Sequence, residues 1–172
     1  MIEANKMPFV TKSFDVPFTA EAVRFQLRAL SIDDVVKDYE AVMTSREHLW
    51  HRFGEIWAWP NADHSLEQNL IDLARHQSEF QQRTGFAYSV LSPDYARVLG
   101  CVYIYPATIY PATIYPATSD AVEANVWFWA RQSEIASKLE QAIETFLIAW
   151  LSNSWPFGTA TLNGEKILIT TL

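Results

Sequence analysis

VEANVWFWARQSEIASKLEQAIETFLIAWL, residues 122–151, reads as a strand that runs almost directly into a helix. Val122, Ala124, Val126, Phe128 and Ala130 fall on one side of a period-two strand, and Glu123, Asn125, Trp127, Trp129 and Arg131 fall on the other. The first side is apolar enough to pack on a core, while the second begins polar and ends in two indoles and a cation. Ser133 stands as an N-cap with Glu134 in the first turn, where the helix dipole favours an anion. Ile135, Leu139, Ile143, Phe146 and Trp150 recur at steps of three and four, which predicts a buried stripe. Amides at such a helix start are open to an anionic ligand.

Working outward, residues 1–22 carry no periodicity and are expected to lie along the surface as an arm. VRFQLRAL (23–30) alternates, with Val23, Phe25, Leu27 and Ala29 inward, so it is expected to be a half-exposed strand. Ser31 then caps a helix with Asp33 and Asp34 in its first turn and Ile32, Val35, Val36, Tyr39, Val42 and Met43 as its buried stripe. A second capping box at Thr44–Glu47 restarts the helix as far as Phe53-Gly54, and Glu55–His64, with IWAWP, reads as an aromatic loop. Ser65 opens a third helix to about Arg83, with Leu66, Leu70, Leu73 and Phe80 as its stripe and Gly85 as its stop.

Phe86–Leu91 and Arg97–Tyr105 flank a turn-forming cluster and should pair as a hairpin, with Gly100 marking a bulge or a close backbone approach. IYPAT then occurs three times without a gap, across residues 104–118. A proline every five residues forbids a helix, so an extended, loop-like segment is expected. It is either a tandem duplication tolerated at a loop or an arm that grips a partner through Tyr105, Tyr110 and Tyr115. Near the end, Asn163-Gly164 between strand-like runs signals a closing type I′ hairpin.

At 172 residues and 49% hydrophobic, the chain fits one domain (1–172) with a sizeable core. A net charge of −7 argues against nucleic acid, which needs a basic face, and suits a neutral or cationic small molecule better. Cys101 is the only cysteine, so neither an intrachain disulfide nor a thiolate zinc cluster can form. No secretory signal and no apolar run long enough for a membrane are visible, so a cytoplasmic setting is expected.

The order of elements resembles the GCN5-related N-acetyltransferase (GNAT) family, as an atypical member. FQLRALSIDDVVKDYEAV looks like that family's opening strand and helix, RVLGCVYIYP like its third strand, and EANVWFWAR with the following helix like its fourth strand and third helix. The resemblance implies an α/β (α+β) fold with a mixed, mostly antiparallel sheet flanked by helices, here with a shortened C-terminal part. It implies acetyl-CoA as co-substrate and transfer of its acetyl group to an amine by direct attack, with no metal. The fourth-strand backbone, Trp127, Phe128 and Trp129, would hold the pantetheine and polarise the thioester carbonyl. Arg131, Gln132, Ser133, Ile135 and Ala136 stand where the family wraps the pyrophosphate, but Glu134 replaces its first glycine.

The resemblance places Glu123 as the base that deprotonates the amine, and Tyr103 or Tyr105 could protonate the departing thiolate. Trp57 and Trp59 would face the acceptor, a small-molecule amine or a protein amine. His48 and His51 have the wrong helical spacing for zinc, His76 reads as a half-buried histidine, and Cys101 as an inert thiol. The aromatic surplus points to a homodimer, with no membrane partner. The competing reading is a non-catalytic module of the same shape that binds a ligand or partner.

Overall fold

A computed structural model of the chain describes residues 8–107 and 123–168. The period-two runs become strands β1 (Thr19–Glu21), β2 (Gln26–Ala29), β3 (Phe86–Leu91), β4 (Val98–Pro106), β5 (Glu123–Ala130), β6 (Thr159–Leu162) and β7 (Glu165–Leu168). They form one seven-stranded sheet in sequence order. Neighbours are antiparallel except β5 and β6, which are parallel because helix α4 (Leu139–Ser154) carries the chain back to the same end. Helices α1 (Val35–Thr44), α2 (Arg46–Trp57) and α3 (Leu66–Gln82) fill the stretch between β2 and β3.

Alternation along β4 and β5 gives the sheet two apolar faces. Ala124, Val126 and Phe128 pack with Val102 and Ile104 under Leu139, Ile143 and Leu147 of α4. Cys101, Tyr103 and Trp129 face the other way, under Ala41, Leu49, Phe53 and Leu73 from α1–α3. The chain is therefore a mixed α/β layer structure, as its element order predicts. Gly100 makes the close approach expected of it: a Cβ there would lie 1.9 Å from the Trp129 carbonyl oxygen. The β3–β4 register also shifts next to it, between Val90 and Leu91. Asn163 (φ 47°) and Gly164 (φ 91°) turn the last hairpin in the left-handed region, as Asn-Gly predicts.

Several expectations are corrected. The N-terminal arm contributes β1, and it buries Phe9 and Val10 beneath the α4 face. Val23 is 99% exposed, because the second strand begins only at Gln26. The apolar stripes of two helices are buried only in part: Val42 and Leu73 pack on the sheet as expected, but Ile32, Val36, Leu66 and Leu70 are exposed, while Asp34, Asp38 and Asn69 are buried. These helices also line a polar cavity, so some of their polar positions face in. Helix α2 continues to Trp57, past Gly54, and Arg83 rather than Gly85 takes the left-handed conformation that ends α3. Gly85 serves packing, since a Cβ there would meet the Tyr105 ring at 2.5 Å.

Helix α4 begins at Leu139 and not at Ser133. Gln132–Glu134 form a single 3-10 turn, Lys138 is left-handed at φ 56°, and Ile135 is exposed. Ile104 and Tyr105 of the first IYPAT copy belong to β4, as the strand expected to Tyr105 requires, and Pro106 extends it by one residue, paired with Ala124. The later copies, with Tyr110 and Tyr115, lie outside the described residues.

Candidate functional site

Parallel pairing of β5 with β6 covers only Glu123–Val126 against Thr159–Leu162, after which the two strands part. Peptide groups of alternate β5 residues face opposite ways. On the β4 side, Ala107 N–H donates to the Glu123 carbonyl and Arg131 N–H to that of Leu99. Toward β6, Asn163 N–H donates to Val126 O at 2.9 Å. Of the three amides expected to polarise a carbonyl, then, only that of Phe128 faces the opening, and those of Trp127 and Trp129 face β4. The Asn163 carboxamide meets Phe128 from the β6 side. Its Oδ1 accepts the Phe128 N–H at 2.9 Å and its Nδ2 donates to the Phe128 carbonyl at 3.2 Å. Arg52 also donates to this carbonyl at 3.2 Å and pairs with Glu140 of α4 at 2.5 Å. This strand edge is shaped for an amide, and an amide of the chain itself holds it.

The turn after β5 is less suited to a pyrophosphate. Arg131 is buried and donates to Glu40 at 2.5 and 2.7 Å, to Thr44 Oγ1 at 2.9 Å and to Val98 O at 3.3 Å. The same contact holds the Glu40 carboxyl below its ordinary range. Gln132 N–H donates to the hydroxyl of Ser45 at 3.0 Å, so Ser45 caps this turn and not α2. Glu134 stands 3.7 Å from Arg97 and accepts from Ser137 Oγ, which keeps its carboxylate at the turn. The exposed stretch from Ala136 to Lys138 remains accessible.

On the α1–α3 face lies a cavity of about 580 Å³, between β4–β5 and the helices. Trp57, Trp59, Trp127, Tyr103 and Tyr105 supply its aromatic wall. Trp57 meets Trp127 at 5.4 Å and 73°, and Tyr103 at 6.1 Å and 84°, so the three rings form a corner. The opposite wall is polar. Tyr105 donates to Glu79 Oε2 at 3.0 Å and contacts His76 Nδ1 at 3.0 Å. Arg75 reaches His76 Nε2 at 3.3 Å and Glu79 at 3.3 Å. A guanidinium only donates, so Nε2 accepts and the proton of a neutral His76 sits on Nδ1. Burial pushes the Glu79 carboxyl up, but hydrogen bonds from His76 and Tyr105 and the Arg75 charge outweigh it and bring it to about 2.

Deeper in, Asp38 accepts from Asn69 Nδ2 at 2.8 Å and from the Cys101 thiol at 3.4 Å, and Asn69 Oδ1 meets His64 Nε2 at 3.0 Å. Burial raises the pKa of Asp38 and pushes that of the Cys101 thiol well up, which fits an inert thiol. Tyr103 is raised well above its ordinary value for the same reason, and its oxygen accepts from Trp129 Nε1 at 3.3 Å.

The structure brings Tyr103, Trp57, Trp59 and Trp127 together, with Phe128 one residue on. Glu123 is not among them: it lies outside the cavity lining, is 39% exposed, and pairs with Lys166 at 3.2 Å. Sequence reasoning missed Asp38, Asn69 and Glu79. Their spacing on α1 and α3 is helical, but it was hidden behind stronger apolar periodicities. Among the described residues no three His, Cys, Asp or Glu converge as metal ligands, and no helix is long and apolar enough to cross a membrane.

No protein-family model matches the chain, and no curated protein matches it in sequence. Solved structures do match in fold. A ribosomal L7/L12 α-N-protein acetyltransferase, RimL, in complex with coenzyme A is 16% identical at TM-score 0.57, over 86% of this chain and 72% of that one. A putative ribosomal-protein-serine acetyltransferase from Vibrio cholerae is 13% identical at TM-score 0.62, over 84% and 72%. The microcin C7 self-immunity acetyltransferase MccE, in complex with acetyl-CoA and AMP, is 10% identical at 0.61, over 82% and 69%. The fold is that of the GNAT acetyltransferases.

Proposed function

We propose that the chain is an acyl-CoA-dependent N-acyltransferase that passes an acetyl group to the amine of a small molecule or a protein. One observation carries the reading: β5 and β6 part beside a cavity that holds a histidine–tyrosine–carboxylate cluster. Acetyl-CoA, when bound, supplies an acyl carbon activated as a thioester. The Phe128 amide, once Asn163 swings away, donates a hydrogen bond at the strand edge between Trp127 and Trp129. The amides of Ser133 and Ala136 offer donors to phosphate, those of Glu134 and Ile135 being bonded to the Arg131 and Gln132 carbonyls, while Arg131 shapes the turn through Glu40 and Gln132 through Ser45.

Only a neutral amine attacks an acyl carbon, so a base is required. His76 Nε2 takes that role in place of Glu123 once Arg75 gives up its hydrogen bond to it, because it then carries a lone pair at the cavity and its Nδ1–H is held by Tyr105 and Glu79. Tyr103 keeps its proton, since burial raises its pKa, and so can serve the leaving thiolate as a hydrogen-bond donor. Trp57 and Trp59 hold the acceptor. A homodimer belongs to the same reading, and gel filtration that returns only monomer at high concentration removes it.

A non-catalytic binding module is the second reading, and the engagement of Arg131 by Glu40 and of Phe128 by Asn163 favours it. Calorimetry with acetyl-CoA separates the two. The transferase reading expects micromolar binding that tightens roughly thirtyfold in Asn163→Gly, because two hydrogen bonds of about 1 kcal/mol each no longer need displacing. Glycine also accepts the left-handed φ of this position. Absence of heat with both proteins at millimolar acetyl-CoA leaves the binding module.

A further inference from the structure

The cavity already contains a cation, and that cation belongs to the chain. Arg75 is half-exposed at its mouth and places its guanidinium 3.3 Å from Glu79 Oε2 and 3.3 Å from His76 Nε2. Glu79 is 11% exposed, and Tyr105 and His76 fix its carboxylate from the cavity side. Facing this acidic corner are the rings of Trp57, Trp127 and Tyr103, the latter two set at 73° and 84° to Trp57. Such rings present electron-rich faces, and a desolvated cation against them gains on the order of 1–2 kcal/mol. At about 580 Å³ the cavity lies in the range of small-ligand sites.

A cation on a half-exposed side chain can serve as a placeholder, because a ligand ammonium can take over its two acceptors without leaving either of them empty. A neutral ligand can displace nothing there, and an anionic one meets Glu79. The aromatic corner in turn needs an apolar group to fill it.

We propose that this cavity is a site for a monocationic arylalkyl or alkyl amine. Its ammonium group replaces the Arg75 guanidinium at Glu79 and His76, and its apolar part lies against Trp57, Trp127 and Tyr103. The inference rests on reading the cavity as the acceptor side of the transferase, but amine binding needs no acetyl-CoA. The two ideas therefore fail separately.

The test is a titration of the full chain, without acetyl-CoA, followed by tryptophan fluorescence. The probes are 2-phenylethylammonium and its neutral counterpart 2-phenylethanol. The ammonium is expected to bind on the order of tenfold more tightly than the alcohol. Arg75→Met should strengthen ammonium binding, and Glu79→Gln should weaken it by about the same factor while leaving the alcohol unaffected. Equal affinity for the two probes, or no ammonium binding up to its solubility, overturns the proposal on the wild-type protein alone. A chain that binds the ammonium and not acetyl-CoA keeps this site and loses the transferase.

Discussion

Gly100 shows how one missing side chain sets the spacing of the two central strands. Its Cα faces the Trp129–Ala130 peptide so closely that an added methyl would overlap the Trp129 oxygen. Backbone, unlike a flexible side chain, cannot yield by ångströms within a sheet paired on both sides. Gly100→Ala is therefore expected to destabilise the fold by about 3 kcal/mol or more, read as a fall in the urea midpoint at unchanged slope. An unchanged midpoint would mean that β4 and β5 are not in this register. Gly100 was legible in the sequence because a glycine inside a strand pattern is conspicuous. Asp38 was not legible, since it stands among Val35, Val36 and Tyr39, whose spacing outweighed a single carboxylate.

Elements were legible where one period dominated and illegible where the surroundings were polar on both sides. β5 reads correctly residue by residue, because both of its faces meet apolar layers. α1 and α3 were placed correctly, and Val42 and Leu73 are buried as expected, but Val36, Leu66 and Leu70 are exposed, since hydrophobic periodicity presumes a dry core and these helices line a cavity. The turn after β5 looked like a helix start because Ser133 and Glu134 fit a cap, yet the Ser45 hydroxyl from α2 satisfies the Gln132 amide there. No local pattern announces a partner 87 residues away. Among the described residues the hairpin between β4 and β5 closes at the bond from Ala107 N–H to Glu123 O. Deleting residues 109–118 shortens the connection from about fifteen residues to about five and reduces its closure entropy by about 1 kcal/mol. The deletion variant is expected to keep its far-ultraviolet spectrum and to melt at the same temperature or slightly higher. Loss of the folded spectrum would show that the repeat takes part in the sheet.

Across the whole molecule, a mixed, mostly antiparallel sheet was expected only through the family resemblance, and the sequential strand order with its one parallel step, β5–β6, came from the structure. What the sequence concealed is a polar interior on one side of the sheet, and this interior sets how stability depends on pH. Glu79 has its folded pKa lowered from 4.5 to about 2, so its ion pairs stabilise the chain above pH 4.5 and are lost as pH falls toward 2. The Arg75 partner is half-exposed, so this acid flank amounts to about 1–2 kcal/mol after screening. Asp38 has the opposite sign. Burial raises its folded pKa above 3.8, so its contribution is complete below pH 3.8 and is lost as pH rises through the folded value. Together the two groups predict a stability maximum on the acid side of neutrality. Asp38→Asn keeps the shape of the side chain, can still accept from Asn69 and can turn its amide toward Cys101, but it cannot ionise. Urea midpoints measured from pH 3 to pH 8 should therefore decline above the maximum in the wild type and run flatter in Asp38→Asn, whereas Glu79→Gln should flatten only the acid flank. Parallel curves for the wild type and Asp38→Asn would show that the carboxyl facing Cys101 is already ionised in the folded chain, and that the inner wall of the cavity carries a charge.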